Sequence, residues 1–596
     1  MDTLKLSNGV WTLVLSEDGK LLSLTDGKNE LVRGDHAPAI CDLVLGESNE
    51  SKAVPSATLV RHDDTSAAFD CIVELRKQLH LHFEWSIGSQ DESGTPLTCG
   101  VEISSAAILD SDVLLRWNWN VQLPFQKRLL FAPLFDGRGL RSLAQKRQAW
   151  HYECAGDWGL QETDRLAIPL LDDYSHESTL HITHFADPFF STGLVVPLLD
   201  SPGAFACKFL HAVGSQQFQR RIFGLYLHNG DADTALRSYF DYAIPNCPQG
   251  PAWLHEIAMV DYDYLSKKGL GWYRDIDKLS ELIAPADRHR VVMTLHGWYD
   301  LLGHYSYDDS TKKLLSEWIT MPGRDKLRMT PADMHRRIAY AKERGFRVIL
   351  YFADGTAIDS GSPNYSEEIV FREPDGQLRK HHWGGPDTIA QTYVMNPVHP
   401  KVQEFFRGYL MALLDEFGNE IDGLNWDETF TTKVGDISTG QYAGYAERTF
   451  MLLCKELRDM IKAHNPEIAF MASDCTGLAL PQEDNSFWRA HPAQNALVFD
   501  GTFQDSQFYP TAWQYGLFPN YRNVLWSCNW KPLENFDWTN TGVRIFGVPV
   551  PISNGWAEDK GISDCTEAEV KKIMQLFEFR KNLVGRIHWL KATDES

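Results

Sequence analysis

The stretch Ile421-Asp422-Gly423-Leu424-Asn425-Trp426-Asp427-Glu428-Thr429 runs from a short apolar strand into a carboxylate. A carboxylate there can act as a nucleophile, because (β/α)8 barrels carry their chemistry at the carboxyl ends of their strands. Asp427 is the first candidate. Other apolar runs end in the same way, at Val260-Asp261-Tyr262-Asp263, at Asp354, at Ser473-Asp474 and at Val498-Phe499-Asp500 with Asp505 beyond. His296-Gly297-Trp298-Tyr299-Asp300 follows one more. Crowding carboxylates into a cleft costs repulsion and desolvation, so such clusters usually serve chemistry. Two chemistries fit: an oxygen-rich metal cage, or glycoside hydrolysis by a carboxylate pair with further acids holding hydroxyls. The chain has no DxDxDG loop, and its ten cysteines show no CxxC or zinc-ligand spacing, so neither a metal nor another cofactor is expected. For any single acid the plain alternative is a helix cap or a surface salt bridge.

Aromatic content favours sugar. Of 19 tryptophans, Trp298, Trp383, Trp426, Trp526, Trp530 and Trp556 stand near predicted strand ends. An indole can cover the flat C–H face of a sugar while carboxylates bind its hydroxyl rim. Filling core volume is the alternative role for each of them.

The elements that must hold these side chains fall into two groups. Residues 1–245 read as β-structure, with period-two runs at Trp11 to Leu15, Leu79 to Trp85 and Leu114 to Val121 and turns between them, which predicts an antiparallel β-sandwich. His80 and His82 share one face of such a strand, and without a third ligand they read as surface polar residues. The proline-rich stretch Ala243 to Pro251 marks a boundary. From 252 to 596 the texture is strand, loop, helix, repeated, with strands expected at Glu256 to Asp261, Arg290 to Leu295, Phe346 to Phe352, Ile421 to Asp427, Ile468 to Asp474, Ala496 to Asp500, Asn523 to Ser527 and Phe546 to Pro551. Eight strands with helices between them predict a (β/α)8 TIM barrel. An open doubly wound sheet is the alternative, but no GxGxxG or GxxxxGK[ST] loop supports it. A last helix is expected over Glu567 to Leu583, with no third domain after it.

Composition narrows the partners. A formal charge of -23, from 57 lysines and arginines against 80 acids, opposes nucleic-acid binding. The start MDTLKLSNGV lacks the basic opening and apolar core of a signal peptide, and no run reaches membrane-spanning length. A cytoplasmic chain with reduced thiols and no membrane partner is expected, and homo-oligomerisation is compatible with the sequence.

The segment Tyr393-Val394-Met395-Asn396-Pro397-Val398-His399-Pro400-Lys401-Val402, then a helix, then Asp422-Gly423-Leu424-Asn425-Trp426-Asp427, resembles the region before the nucleophile in retaining α-glycosidases of glycoside hydrolase family 36, the α-galactosidases and raffinose synthases. Their family 31 α-glucosidase relatives look similar. Gly345 to Phe352 resembles the third barrel strand of these families, and Ser473-Asp474-Cys475-Thr476-Gly477 the fifth-strand motif. The resemblance implies a retaining α-glycosidase with Asp427 as nucleophile and the acid/base at the end of strand six, matched here by Asp500. Asp474 competes, since other retaining groups place the acid on strand five. Asp261, His296, Trp298, Asp300, Asp354, Trp426, Glu428, Asp505 and Trp530 are the candidates for binding an oligosaccharide or glycoside. In the implied mechanism the nucleophile attacks the anomeric carbon while the acid protonates the leaving oxygen, then serves as base toward water. A transglycosylase, an inverting hydrolase and a non-catalytic carbohydrate-binding protein are the other readings of this sequence.

Overall fold

A computed structural model of the chain describes residues 2–25, 30–33, 39–45, 51–74, 78–88, strand segments between 95 and 229, and then 250–321, 326–372, 377–381, 391–397, 399–427, 444–473, 498–505, 522–526 and 561–583. The chain divides into two compact units, one of Met1–Asn246 with Lys433–Arg448 and Leu590–Ser596, the other of Cys247–Thr432 and Thr449–Trp589. Among the described residues, the N-terminal unit holds an 11-stranded and a 9-stranded sheet, almost wholly antiparallel. Alternation explains the burial: along Gln78–Ile87, the side chains of Leu79, Leu81, Phe83, Trp85 and Ile87 are buried and the intervening ones are not. His82 lies on the outer face, with Nδ1 2.5 Å from Asp70 Oδ1.

The second unit is built on a 7-stranded parallel sheet among the described residues. In chain and spatial order its strands are β1 (Met259–Asp263), β2 (Val291–Leu295), β3 (Arg347–Asp354), β4 (Gly423–Asp427), β5 (Ala469–Ser473), β6 (Gly501–Asp505) and β7 (Arg522–Trp526). Helices α1 (Gly271–Leu282), α2 (Pro331–Lys342), α3 (Pro400–Phe417) and α4 (Gly444–His464) fall between strands, and α5 (Glu567–Leu583) follows them. Every residue of β2 is buried, as expected for a parallel strand covered on both faces. Helix α2 starts at a reciprocal cap between Thr330 and Asp333. Helix α3 starts with Pro400 after His399, whose side chain accepts from the Lys401 amide, and it buries Val402, Phe405, Phe406, Tyr409, Leu410, Leu413 and Leu414 on one stripe.

The expected sixth strand, 496 to 500, is displaced in the structure. Strand β6 begins at Gly501, so Asp500 precedes the strand instead of ending it. The first strand also starts later than expected, because Ala252–Glu256 forms a 3-10 turn. The eighth candidate, 546 to 551, lies outside the described residues.

Candidate active site

The amino and carboxyl ends of this sheet carry different kinds of carboxylate. At the amino end, the Asp422 amide donates to the Val348 carbonyl at 2.8 Å, and Asp422 Oδ2 accepts from the Val348 amide at 2.8 Å. Lys342 and Arg347 complete its ion pairs at 2.6 and 2.8 Å. Two strands on, Asp500 repeats the arrangement: its amide donates to the Phe470 carbonyl at 2.8 Å, and Oδ2 accepts from the Phe470 amide at 2.8 Å. Its cations are Arg458, on Oδ1, and Lys462, 2.6 Å from Oδ2, both from α4. Arg458 and Asp500 are each 1% exposed. Asp500 therefore ties α4 and β5 to the start of β6, and the expectation that it ends the strand at the chemical face is corrected.

The carboxyl end is organised around β3 and β4. The register pairs Tyr351 with Asn425, Ala353 with Trp426, and Asp354 with Asp427, leaving Phe352 as an extra residue. This bulge reverses the alternation. Without it Asp354 would face away from Tyr351; with it Asp354 shares the face of Tyr351, Asn425 and Asp427. The strand ends are then locked. The Asp354 amide donates to Tyr305 Oη at 3.0 Å, the Gly355 amide to the Asp427 carbonyl at 2.7 Å, and Trp426 Nε1 to the Gly355 carbonyl at 2.8 Å.

An aromatic floor lies beside the two acids. Tyr299 and Tyr351 stack with ring centroids 5.5 Å apart, Tyr305 lies 5.1 Å from Tyr299, and the His296 ring is 3.6 Å from Tyr351 and 3.9 Å from Tyr264. Burial, reinforced by the nearby Asp354, holds the Tyr299, Tyr305 and Tyr351 phenols far above the ordinary tyrosine range, and Asp427 adds to the effect on Tyr305 and Tyr351. These phenols stay protonated. The floor can donate hydrogen bonds but adds no negative charge.

Several expected binders belong to the framework. Trp426 is fully buried on the opposite face of β4, its ring 4.9 Å from Phe406 and 5.0 Å from Phe450. Trp298 is also fully buried, with Nε1 donating to the Tyr351 carbonyl at 3.0 Å and the ring against Trp318 and Phe417. Asp300 shapes the loop after β2: Oδ1 accepts from the Leu301 and Ser306 amides at 2.7 and 2.8 Å, and Oδ2 lies 2.5 Å from His304 Nδ1. Asp263 turns toward the helices, accepting from Ser266 Oγ at 2.8 Å. Burial and the adjacent Asp275 push its carboxyl up to about 6. Strand alternation puts Asp261 on that same helix-side face, away from Tyr262 and His296. For Trp426, Trp298 and Asp300, the contacts are those of packing and loop roles, not of an open substrate-binding surface.

Asp354, Asp427 and His296 are the expected residues that the structure brings together. Asp505 ends β6, paired in register with Trp526 at the end of β7. Asp474, Glu428 and Trp530 lie outside the described residues. Tyr299, Tyr305, Tyr351 and Asn425 were not anticipated in the site, and His381 joins it from the insertion after β3. Asn425 had a readable signal, because it stands two residues before Asp427 on a strand and so shares its face. Among the described residues no group of three or more His, Cys, Asp or Glu is placed to hold a metal ion, and no helix is long and apolar enough to cross a membrane.

No protein-family model and no curated protein sequence matches this chain. Solved structures do match it. The GH36 α-galactosidase AgaA from Geobacillus stearothermophilus is 11% identical with a TM-score of 0.54, over 98% of this chain and 87% of that one. The galactosidase domain of the α-galactosidase-sucrose kinase AgaSK is 11% identical with a TM-score of 0.58, over 97% and 84%. The α-N-acetylgalactosaminidase NagBb from Bifidobacterium bifidum, in complex with Gal-NHAc-DNJ, is 10% identical with a TM-score of 0.56, over 98% and 94%. The chain has the fold of the GH36-type α-glycosidases. All three neighbours are glycoside hydrolases.

Proposed function

We propose that this protein is a retaining α-glycosidase in which Asp427 is the nucleophile. The carrying observation is the β3 bulge, which turns Asp354 onto the face of Asp427 beside an aromatic floor at the carboxyl ends of parallel strands. In this reading the sheet closes into a (β/α)8 barrel, and the two N-terminal sheets face one another as a sandwich. Asp427 attacks the anomeric carbon, and the covalent intermediate is then released to water. Asp354 holds a hydroxyl of the sugar at the cleaved end, and the Tyr phenols supply neutral donors.

For the acid/base we assign Asp505 in place of Asp500. The segments Asp422-Gly423-Leu424-Asn425-Trp426-Asp427 and Asp500-Gly501-Thr502-Phe503-Gln504-Asp505 have the same form, an anchored Asp, a Gly, and a second Asp ending the strand five residues later. If Asp427 is the reactive member of the first, Asp505 is its counterpart in the second. The neighbours act on α-galactosides and α-N-acetylgalactosaminides, so these two classes head the substrate panel. Wild-type protein and Asp427→Asn would be assayed on aryl α-glycosides, with the anomer of the first product read by NMR. Wild-type turnover with retained configuration and a loss of a thousand-fold or more in the variant are expected, on the order of 4 kcal/mol or more of transition-state stabilisation. Near-wild-type hydrolysis by Asp427→Asn would remove it as nucleophile.

A further inference from the structure

The insertion between β3 and α3 brings a histidine to Asp354. After the Gly355-Thr356 turn, strand Ala357–Asp359 pairs antiparallel with Thr392–Val394. Thr356 fixes the crossing, its Oγ1 donating to the Met395 carbonyl and its carbonyl accepting from the Met395 amide, both at 2.8 Å. The outer face of this patch is Arg379 to His381: Lys380 bridges to Tyr393, and the His381 amide donates to the Thr392 carbonyl at 2.9 Å. The backbone thus doubles back and delivers the His381 imidazole to the start of its own loop. Nε2 lies 3.6 Å from Asp354 Oδ1, and the His381 side chain is fully buried.

The charges around this pair define what the imidazole does. On β4 stands Asp427; on β3, Tyr351; in the loop after β2, Tyr299 and Tyr305, with Asp300 and His304 already paired to each other. The phenols are held protonated, so among the described residues the carboxyl groups of this corner are those of Asp354 and Asp427. Two carboxylates at neighbouring strand ends repel, and such a pair ordinarily retains one proton into the neutral range. A nucleophile that retains that proton is inactive.

We propose that His381 is a positioning residue of the active site, an imidazolium that neutralises Asp354 so that Asp427 remains the anionic nucleophile. This rests on the reading of Asp427 as nucleophile. It assigns a role in catalysis to a residue that touches neither sugar nor reacting atoms. His381 acts through Asp354, and its removal takes a positive charge from the nucleophile's surroundings.

The sign of the effect follows. In His381→Gln the loss of the imidazolium charge beside Asp354 raises the pKa of Asp427, so the acid limb of kcat/KM moves to higher pH, by about 1 unit. Adding Asp354→Asn to that variant removes the second charge and returns the limb toward its wild-type position. A purely structural histidine would lower activity at every pH and leave the limb in place.

The test combines these pH profiles on an activated aryl α-glycoside with a histidine side-chain NMR titration of the full chain, the His381 signal being assigned by its loss in His381→Gln. The expected results are the shifted limb, its return in the double variant, and a His381 ring still charged well above pH 6.5 in the wild type. An unmoved limb in an active His381→Gln, or a ring neutral at pH 6.5, overturns the proposal. If His381→Gln does not fold, the histidine titration alone decides, with the His381 signal assigned by selective labelling. If no α-glycoside is turned over, the glycosidase reading fails, while the titration still reports whether His381 is the counter-ion of Asp354.

Discussion

Gly355 donates its amide to the carbonyl of Asp427 at 2.7 Å, so the residue following one carboxylate of the site holds the backbone of the other. Gly355 has φ of +46°, in the left-handed region, and its own carbonyl accepts from Trp426. A side chain there is strained by about 1–2 kcal/mol. Gly355→Ala is expected to lower Tm slightly and kcat by about tenfold to a hundredfold, because a reacting group displaced by a fraction of an ångström loses its alignment. Parallel melting and steady-state measurements check this; a kcat that falls no further than the folded fraction would show that the link holds the fold and not the chemistry.

Asp500 and Asp505 separate stability from chemistry. Asp500→Asn leaves Arg458 and Lys462 facing a neutral side chain in a buried site, and breaking such a pair costs roughly 3–5 kcal/mol. Denaturant melts should record that loss. Asp505→Ala should melt like wild type, lose most activity on substrates with poor leaving groups, keep more on activated aryl glycosides, and regain turnover with azide. Azide rescue in Asp500→Ala but not in Asp505→Ala would return the acid/base to the residue before the strand.

The buried Asp263 makes stability depend on pH in a definite direction. Its carboxyl is raised from 3.8 to about 6 by burial and by Asp275, so the folded chain binds the proton more tightly than the unfolded one. Its contribution is fully present below about pH 4 and is lost as pH rises through about 6. The stability difference between wild type and Asp263→Asn should therefore change between those limits and be flat above them. Urea melts at intervals across that range would measure it, and a constant difference would mean that Asp263 titrates normally.

Trp426→Ala tests a framework role against a sugar-stacking one. Removing a fully buried indole wedged among Phe406, Phe450 and Phe470 costs roughly 3–5 kcal/mol, and KM on the surviving folded protein should be unchanged. A raised KM with normal Tm would put the indole against substrate.

Periodicity made α3 and most of the parallel strands legible from residue order alone, because burial on one stripe or on two faces leaves its mark in the apolar pattern. The phase of β6 was not legible that way. Val498 and Phe499 are as apolar as strand residues, and what makes Asp500 an anchor is Arg458 and Lys462, far back in the chain on α4. Likewise a tryptophan beside a strand end looks the same whether it faces sugar or helix; Trp426 is settled by the side of the strand it occupies. The bulge at Phe352 was hidden for a related reason, since it depends on how β3 pairs with β4 and leaves no trace in the composition of β3.

The anchored Asp422 and Asp500 have a consequence for geometry at a distance. Each is clamped to the neighbouring strand by a reciprocal pair of main-chain and side-chain hydrogen bonds, and each is followed five residues later by a carboxylate ending its strand. Extended backbone advances about 3.3 Å per residue, so both strands act as rulers of roughly 16 Å with a fixed zero mark. The separation of Asp427 and Asp505 is then graduated at the opposite end of the sheet. Glycosidases that keep or invert configuration differ by a few ångströms in that separation. A one-residue slip at either zero mark would both shift the height of a strand-end carboxylate and turn it to the other face, and the four cations on the two anchors guard against that slip.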